Sequence, residues 1–135
     1  MAEFKFPFAA LVIVQVAHSV EECLGRLWES YPPAAVLAGL ISADRATGFV
    51  VANAVLVVFG LWCFIWPVRL EWRLATGLAW TWVVIELVNG IVHPLWSVIQ
   101  GRYTPGTLTA PLLFALAAYL AFQLREDRRV SAPHT

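Results

Sequence analysis

The sequence predicts an all-α fold: a polytopic membrane four-helix bundle, with a short interfacial helix between spans one and two. Three observations carry this expectation. The 135 residues are 60% hydrophobic and only 13% charged, where soluble domains have about 45–50% and about 25%. The apolar residues gather into runs close to the ~20 residues that a helix needs to cross a bilayer. Proline and glycine punctuate those runs where helices should stop.

Span one is expected over about 7–28. Proline at its first turn is tolerated because that N–H has no intrahelical partner, and Tyr31-Pro32-Pro33 stops it. No small-x-small site follows its apolar run, so it reads as a retained helix and not as a cleaved signal peptide. Ala34 to Ile41 is too short to cross and is expected at the interface. Asp44 caps span two, about 46–66, which Pro67 ends. Span three is expected over about 72–93, with Pro94 as its stop. The loop that follows carries Thr104-Pro105-Gly106, a turn with proline at i+1 and glycine at i+2. Span four, about 108–124, has Pro111 in its first turn, and residues 125–135 are expected to form a flexible charged tail.

Basic residues set the orientation. Lys5, Arg69, Arg73, Arg125, Arg128 and Arg129 fall on the side of the termini, and Arg26, Arg45 and Arg102 on the other. Both termini are therefore expected in the cytoplasm, with the chain in a plasma or inner membrane. Trp62, Trp66 and Trp72 should mark one interface, and Trp28, Tyr31 and Trp96 the other. The formal charge is zero, which gives no reason to expect a nucleic-acid partner. Cys23 and Cys63 fall at opposite ends of this layout, against a disulfide.

Two polar clusters interrupt the apolar runs. His18, Glu21 and Glu22 lie in span one; Glu86, Asn89 and His93 lie in span three. Spans one and three run in the same direction, and Glu86 lies as many residues beyond Arg73 as His18 lies beyond Lys5. At ~1.5 Å per residue the clusters share a depth, and at ~100° per residue each forms one stripe. An acidic residue at mid-bilayer costs roughly 2.5–3.5 kcal/mol on insertion scales. Such stripes should therefore face each other inside the bundle. Asn53 on span two and Tyr103 in the last loop fall on the same leaflet. Gly90, beside Glu86, leaves room for another backbone.

Blander roles exist for each residue alone. Arg26 follows Glu22 at the spacing of an i,i+4 ion pair. His93 is placed to cap the last carbonyls of its helix, Asn53 and Asn89 suit interhelical hydrogen bonding, and Tyr103 suits an interfacial anchor. Together these accounts need a coincidence of depth and face.

The leading explanation is a divalent metal, zinc or iron, since imidazole with carboxylate suits those ions. The candidate ligands are His18, Glu21, Glu22, Glu86, Asn89 and His93, with Glu21 and Glu86 also candidate catalytic groups. Glu86 and His93 are about 10.5 Å apart along an ideal helix, too far to share one ion without distortion. The expected function is a metal-dependent membrane enzyme acting on a lipid-like or terpenoid substrate. One alternative keeps the same residues as a metal-free acid–base isomerase or cyclase. Another is a non-enzymatic metal or proton carrier, or a polar core for helix association.

His18-Ser19-Val20-Glu21-Glu22 resembles the name motif of the HXXEE family of small integral membrane proteins. Asn89-x-x-x-His93 and Tyr103-Thr104-Pro105-Gly106 resemble its other polar landmarks. The resemblance covers essentially the whole chain. It implies a membrane helical bundle with a motif-borne site, and names no substrate.

Overall fold

The computed structural model describes residues 4–130. All regular structure in it is helical, and no strand occurs among the described residues. In order these are α1 (Lys5–Leu24), α2 (Leu27–Ser30), α3 (Pro32–Ile41), α4 (Arg45–Cys63), a π-helical turn (Phe64–Val68), α5 (Ala75–Gln100) and α6 (Ala110–Val130). Three stretches are long and apolar enough to cross a membrane: Lys5–Leu24, Arg45–Val68 and Ala75–Gln100. In α6 the apolar part gives way to Arg125, Glu126 and Asp127 within the helix. The helix thus continues through the first residues of the expected tail, and residues 131–135 lie outside the described region.

Helix boundaries differ from the expected ones where the tertiary structure overrides local signals. Helix α1 stops at Leu24, short of Trp28, because the chain turns at Gly25 and Arg26, the latter in a left-handed conformation (φ 56°). Only glycine fits at position 25, where a Cβ would collide with the ring of Pro105. Pro94 does not end α5, which continues to Gln100 and stops at Gly101 with φ 62°. Its missing N–H leaves the Gly90 carbonyl without its usual partner. Pro67 likewise lies inside the π-helical turn that prolongs α4. Asp44 caps α4 as expected, its carboxylate accepting from the Thr47 N–H at 3.0 Å.

Packing is inverted relative to a water-soluble core. The inner faces hold Phe8, Leu11, Trp82, Leu113 and Leu120, but also the fully buried His18 and Glu86. The outer faces are aliphatic: Ile13 and Val20 on α1, Val55 and Val58 on α4, Val88 and Leu95 on α5 are all exposed. Helix α6 contributes Ala110, Leu113, Ala117, Leu120 and Leu124 as one buried stripe, the i, i+3, i+4 pattern of a packed helix. It packs on α5 and α1, while α3 packs on α4. At Gly90 the α5–α6 approach is so close that a Cβ would lie 2.6 Å from that of Phe114.

The two ends are tied separately. At one, Lys5 pairs with Glu71 at 2.7 Å and Trp62 meets Trp72 edge to face. At the other, the Trp96 indole donates to the Ser30 carbonyl at 3.0 Å and packs on Tyr31. Cys23 and Cys63 are free thiols.

Gly90→Val forces α5 off α6 and is expected to destabilise by about 1–3 kcal/mol, the usual cost of overpacking. Gly77→Ala, where a Cβ meets nothing within 4 Å, should instead stabilise by about 0.5–1 kcal/mol. Thermal unfolding in detergent compares the two. Equal melting behaviour would mean that the close α5–α6 approach is not present.

Candidate metal centre

His18 and Glu22 stand one turn apart on α1 and project from the same face. His93 reaches them from α5. Glu22 Oε1 lies 3.3 Å from His18 Nε2 and 3.1 Å from His93 Nε2, and the two imidazoles meet edge to face with centroids 4.7 Å apart. All three side chains are buried. Among the described residues this is the group of His, Cys, Asp or Glu whose ligand atoms, all within 4.8 Å of one another, can hold a metal ion.

The far side of each ring decides which protons are present. His93 Nδ1 is 2.9 Å from the Pro105 carbonyl, which can only accept, so Nδ1 carries the proton. His18 Nδ1 is 2.7 Å from Thr109 Oγ1, and that hydroxyl already donates to Glu21 Oε2 at 2.6 Å. It therefore accepts from His18 Nδ1–H. In the neutral form both rings turn a bare Nε2 lone pair toward a carboxylate oxygen. His18 Nε2 is buried with no hydrogen-bond partner. Three electron-rich atoms converge with no proton assigned between them, an arrangement that a cation relieves.

Glu21, expected as a ligand or base, is hydrogen-bonded to a loop and lies outside the His18–Glu22–His93 group. Its carboxylate accepts from five donors: Tyr103 Oη, Gly106 N and Leu108 N on Oε1, and Thr109 N and Oγ1 on Oε2. These N–H groups immediately precede α6, where helix N-termini favour negative charge. Glu21 thereby clamps the 103–109 loop against α1, and that loop supplies both anchors of the histidine rings. Within it, the Thr104 carbonyl accepts from the Thr107 N–H at 3.3 Å, and Gly106 has φ 91°, as expected for proline then glycine in the turn. A side chain at 106 would run into both imidazoles. Thr107 and Thr104 share hydrogen bonds with Ser97 at 2.6 Å, tying the loop to α5.

Glu86 and Asn89 lie outside the cluster. Asn89 Nδ2 donates to Glu86 Oε2 at 3.2 Å. The Gln15 amide nitrogen, oriented toward the carboxylate, reaches its oxygens at 2.9 and 3.0 Å, while the Gln15 oxygen accepts from Ser19. Of the six expected ligands the structure thus brings together three: His18, Glu22 and His93. The axial distance between Glu86 and His93 is the physical reason for the division. Arg26 pairs with Glu29 at 2.7 Å and not with Glu22, and His93 caps no helix end. Asn53 donates within its own helix to Phe49 O at 3.4 Å.

Gln15 and Thr109 escape the sequence reading. Gln15 had a signal, being a lone amide one turn before His18 in an apolar run. Thr109 had none, since nothing in a loop threonine announces a contact to a distant helix.

Glu22 and His93 also form part of the wall of a cavity of about 590 Å³. Gln15, Asn53 and Asn89 complete its polar side, and α3 and α4 supply aliphatic and aromatic walls, including Leu37, Leu56 and Phe59.

Fold and site together define an all-helical protein with three membrane-length helices and a buried His–Glu–His centre beside an apolar cavity. The chain belongs to the HXXEE family, described as "Protein of unknown function with HXXEE motif", which it matches over residues 9–121. No curated protein and no solved structure matches it.

Glu21→Gln turns an amide N–H₂ toward donors and should cost roughly 1.5–3 kcal/mol, the range for hydrogen bonds to charged groups. Tyr103→Phe removes one donor and should cost roughly 0.5–1.5 kcal/mol. Thermal melts rank them, and a Glu21→Gln protein as stable as the parent would count against the clamp.

Burial of the hydroxyl and its hydrogen bond to the Glu21 carboxylate push the Tyr103 phenol up to about 12. Between the ordinary value of 10 and that point, the folded chain keeps a proton that the unfolded chain has lost. This contribution to stability is complete below pH 10 and falls as pH rises toward 12. Tyrosinate absorbance, compared with Tyr103→Phe, is expected to show one late-titrating phenol that moves earlier in Glu21→Gln.

Proposed function

We propose that this chain is an integral membrane enzyme. It would use a divalent metal, zinc or iron, on His18, Glu22 and His93 to act on a lipid-like substrate in the adjoining cavity. The observation that carries this reading is the convergence of two imidazole lone pairs and a carboxylate oxygen at the edge of that cavity. Two histidines and one glutamate are a ligand set of catalytic zinc sites, in which a further position is left for water or substrate. Here the cavity side of Glu22 and His93 is where that position would open. A bound ion would supply Lewis acidity toward a substrate oxygen or a water.

The chain's own residues do the positioning. Pro105 and Thr109 hold the Nδ1 sides of the rings, which sets their tautomer and direction, as the groups behind histidine ligands commonly do. Glu21 holds the loop that carries both. Glu86 fixes the amides of Gln15 and Asn89 along the polar wall.

The membrane setting is supported by the three long apolar helices and by the exposed aliphatic faces around buried ionisable groups. In this reading α6 is the fourth span of a bundle, with α3 at the interface. The end with Lys5, Arg69 and Arg73 faces the cytoplasm together with both termini.

The full burial of Glu86 between two amides favours a second reading, metal-free acid–base catalysis by the same carboxylates and histidines. Chelation separates the two.

Protein purified in detergent and loaded with zinc is expected to hold one ion per chain by elemental analysis. Thr109→Val, which removes the acceptor behind His18, should weaken zinc binding by roughly 10–100-fold. His18→Ala, His93→Ala and Glu22→Gln should weaken it more. A folded parent protein that takes up no zinc, iron or manganese would sink the metal reading.

A further inference from the structure

The cavity beside the centre carries chemistry that the three ligands do not use. Its polar groups are Glu22 and His93, the amides of Gln15, Asn53 and Asn89, and the Tyr31 side chain; neither lysine nor arginine is among its lining residues. The amides differ in what they have left to offer. Gln15 is committed on both sides, to Glu86 and to Ser19. Asn89 uses one N–H on Glu86, and Asn53 makes one long bond to its own helix at 3.4 Å. Among the described residues neither asparagine has a hydrogen-bonded side-chain oxygen. Neither oxygen is a buried orphan, because the buried unpartnered side-chain atoms are His18 Nε2, Trp80 Nε1 and Trp82 Nε1. Both oxygens are therefore accessible, on two residues that line the cavity, and each amide has a second N–H.

Size and shape narrow the occupant. The volume, about 590 Å³, lies within the roughly 300–1,000 Å³ of pockets that enclose one small ligand. Leu37, Ile41 and Val55 line the cavity and are also substantially exposed on the outer, aliphatic surface. The cavity thus reaches the apolar flank of the molecule between α3–α4 and α5. Phe59, which lines the cavity, stacks on Trp82 of α5 and Gly60 lies against the same indole, so α4 and α5 close that end of the cavity.

We infer that the cavity admits, sideways from the bilayer, an uncharged lipid with one long or fused-ring apolar body and an oxygenated end, a hydroxyl or carbonyl, that Asn53 and Asn89 present to the His18–Glu22–His93 centre. A phosphorylated or diphosphate lipid is disfavoured by the same wall. The lining has no lysine or arginine, and Glu86 lies behind the amides. One divalent ion already facing the Glu22 carboxylate offsets only part of a phosphate's charge of about −1.5 to −2. A two-chain phospholipid exceeds the space. A hydroxyl, by contrast, donates to one amide oxygen and accepts from the other amide nitrogen, which satisfies both asparagines at once. This inference rests on the reading of the site as one that acts on a membrane-dissolved substrate, and it adds the chemistry of that substrate.

The test uses the full chain in lipid nanodiscs, with diazirine-bearing farnesol and oleyl alcohol as probes and their diphosphate and phosphate esters as counterparts. Zinc content is measured in parallel on the same samples. The alcohols are expected to label α3, α4 and α5 at the cavity wall at least about fivefold more than the esters do. Ala52→Trp fills the cavity while leaving every polar side chain of its wall in place and should abolish the labelling. Asn53→Leu combined with Asn89→Leu should lower it at least about fivefold, through the loss of both amides. Esters that label the wall as well as the alcohols would overturn the inference, as would alcohols that label only the outer faces or are insensitive to Ala52→Trp. Zinc-loaded protein that rejects both alcohols sinks this inference and leaves the metal reading standing. Labelling of the cavity by protein that takes up no metal does the reverse.

Discussion

A single carboxylate, Glu21, holds the segment on which the centre depends. Its five donors all come from 103–109, and from that segment Pro105 and Thr109 reach back to the two imidazoles. Backbone N–H groups packed away from water need partners. Glu21 satisfies four of the requirements of that loop's backbone and start of helix at one point: Gly106, Leu108 and Thr109 N–H, and the charge complement to α6. Neighbouring glutamates in one motif thus have separate work. Glu22, on the face of His18, meets the second histidine, while Glu21, turned aside by about 100° per residue of helix, secures what orients both.

The same economy explains why ionisable side chains are buried while valines and leucines face outward. Each polar group inside is matched to another: Glu86 to Gln15 and Asn89, Ser97 to Thr104 and Thr107, Trp96 to Ser30. The exceptions among the described residues are His18 Nε2 and the indole N–H groups of Trp80 and Trp82. Of these, His18 Nε2 is the one that stands with a second imidazole and a carboxylate at the edge of a cavity.

Much of this was legible in advance. Apolar run lengths marked the three long helices, and proline followed by glycine marked the turn at 104–107. Helix depth and angle brought the two stripes together, though they matched His18 with Glu86, whereas His18 meets His93 and Glu86 meets Gln15. Other features were hidden for definite reasons. Pro94 reads as a stop because proline removes one helical hydrogen bond; the rest of the ladder carries α5 through it. The early end of α1 depends on Pro105, eighty residues further along, pressing against Gly25. The axial separation of Glu86 and His93 was readable from helix rise, but which of the two joins His18 was not; Glu86 falls with Gln15 and His93 with His18.

What the sequence by itself determined is the inventory and its rough placement: which runs are helical, which side chains are polar within them, and on which helix face they lie. Helix periodicity and the cost of burying charge are local physics, readable from spacing. Only the tertiary structure decided the pairing. Which oxygen meets which ring nitrogen, which glutamate is a ligand candidate and which a clamp, and where the cavity opens all depend on contacts between residues distant in the chain. Those contacts are fixed by close approaches at Gly25, Gly90 and Gly106, and no local pattern encodes them.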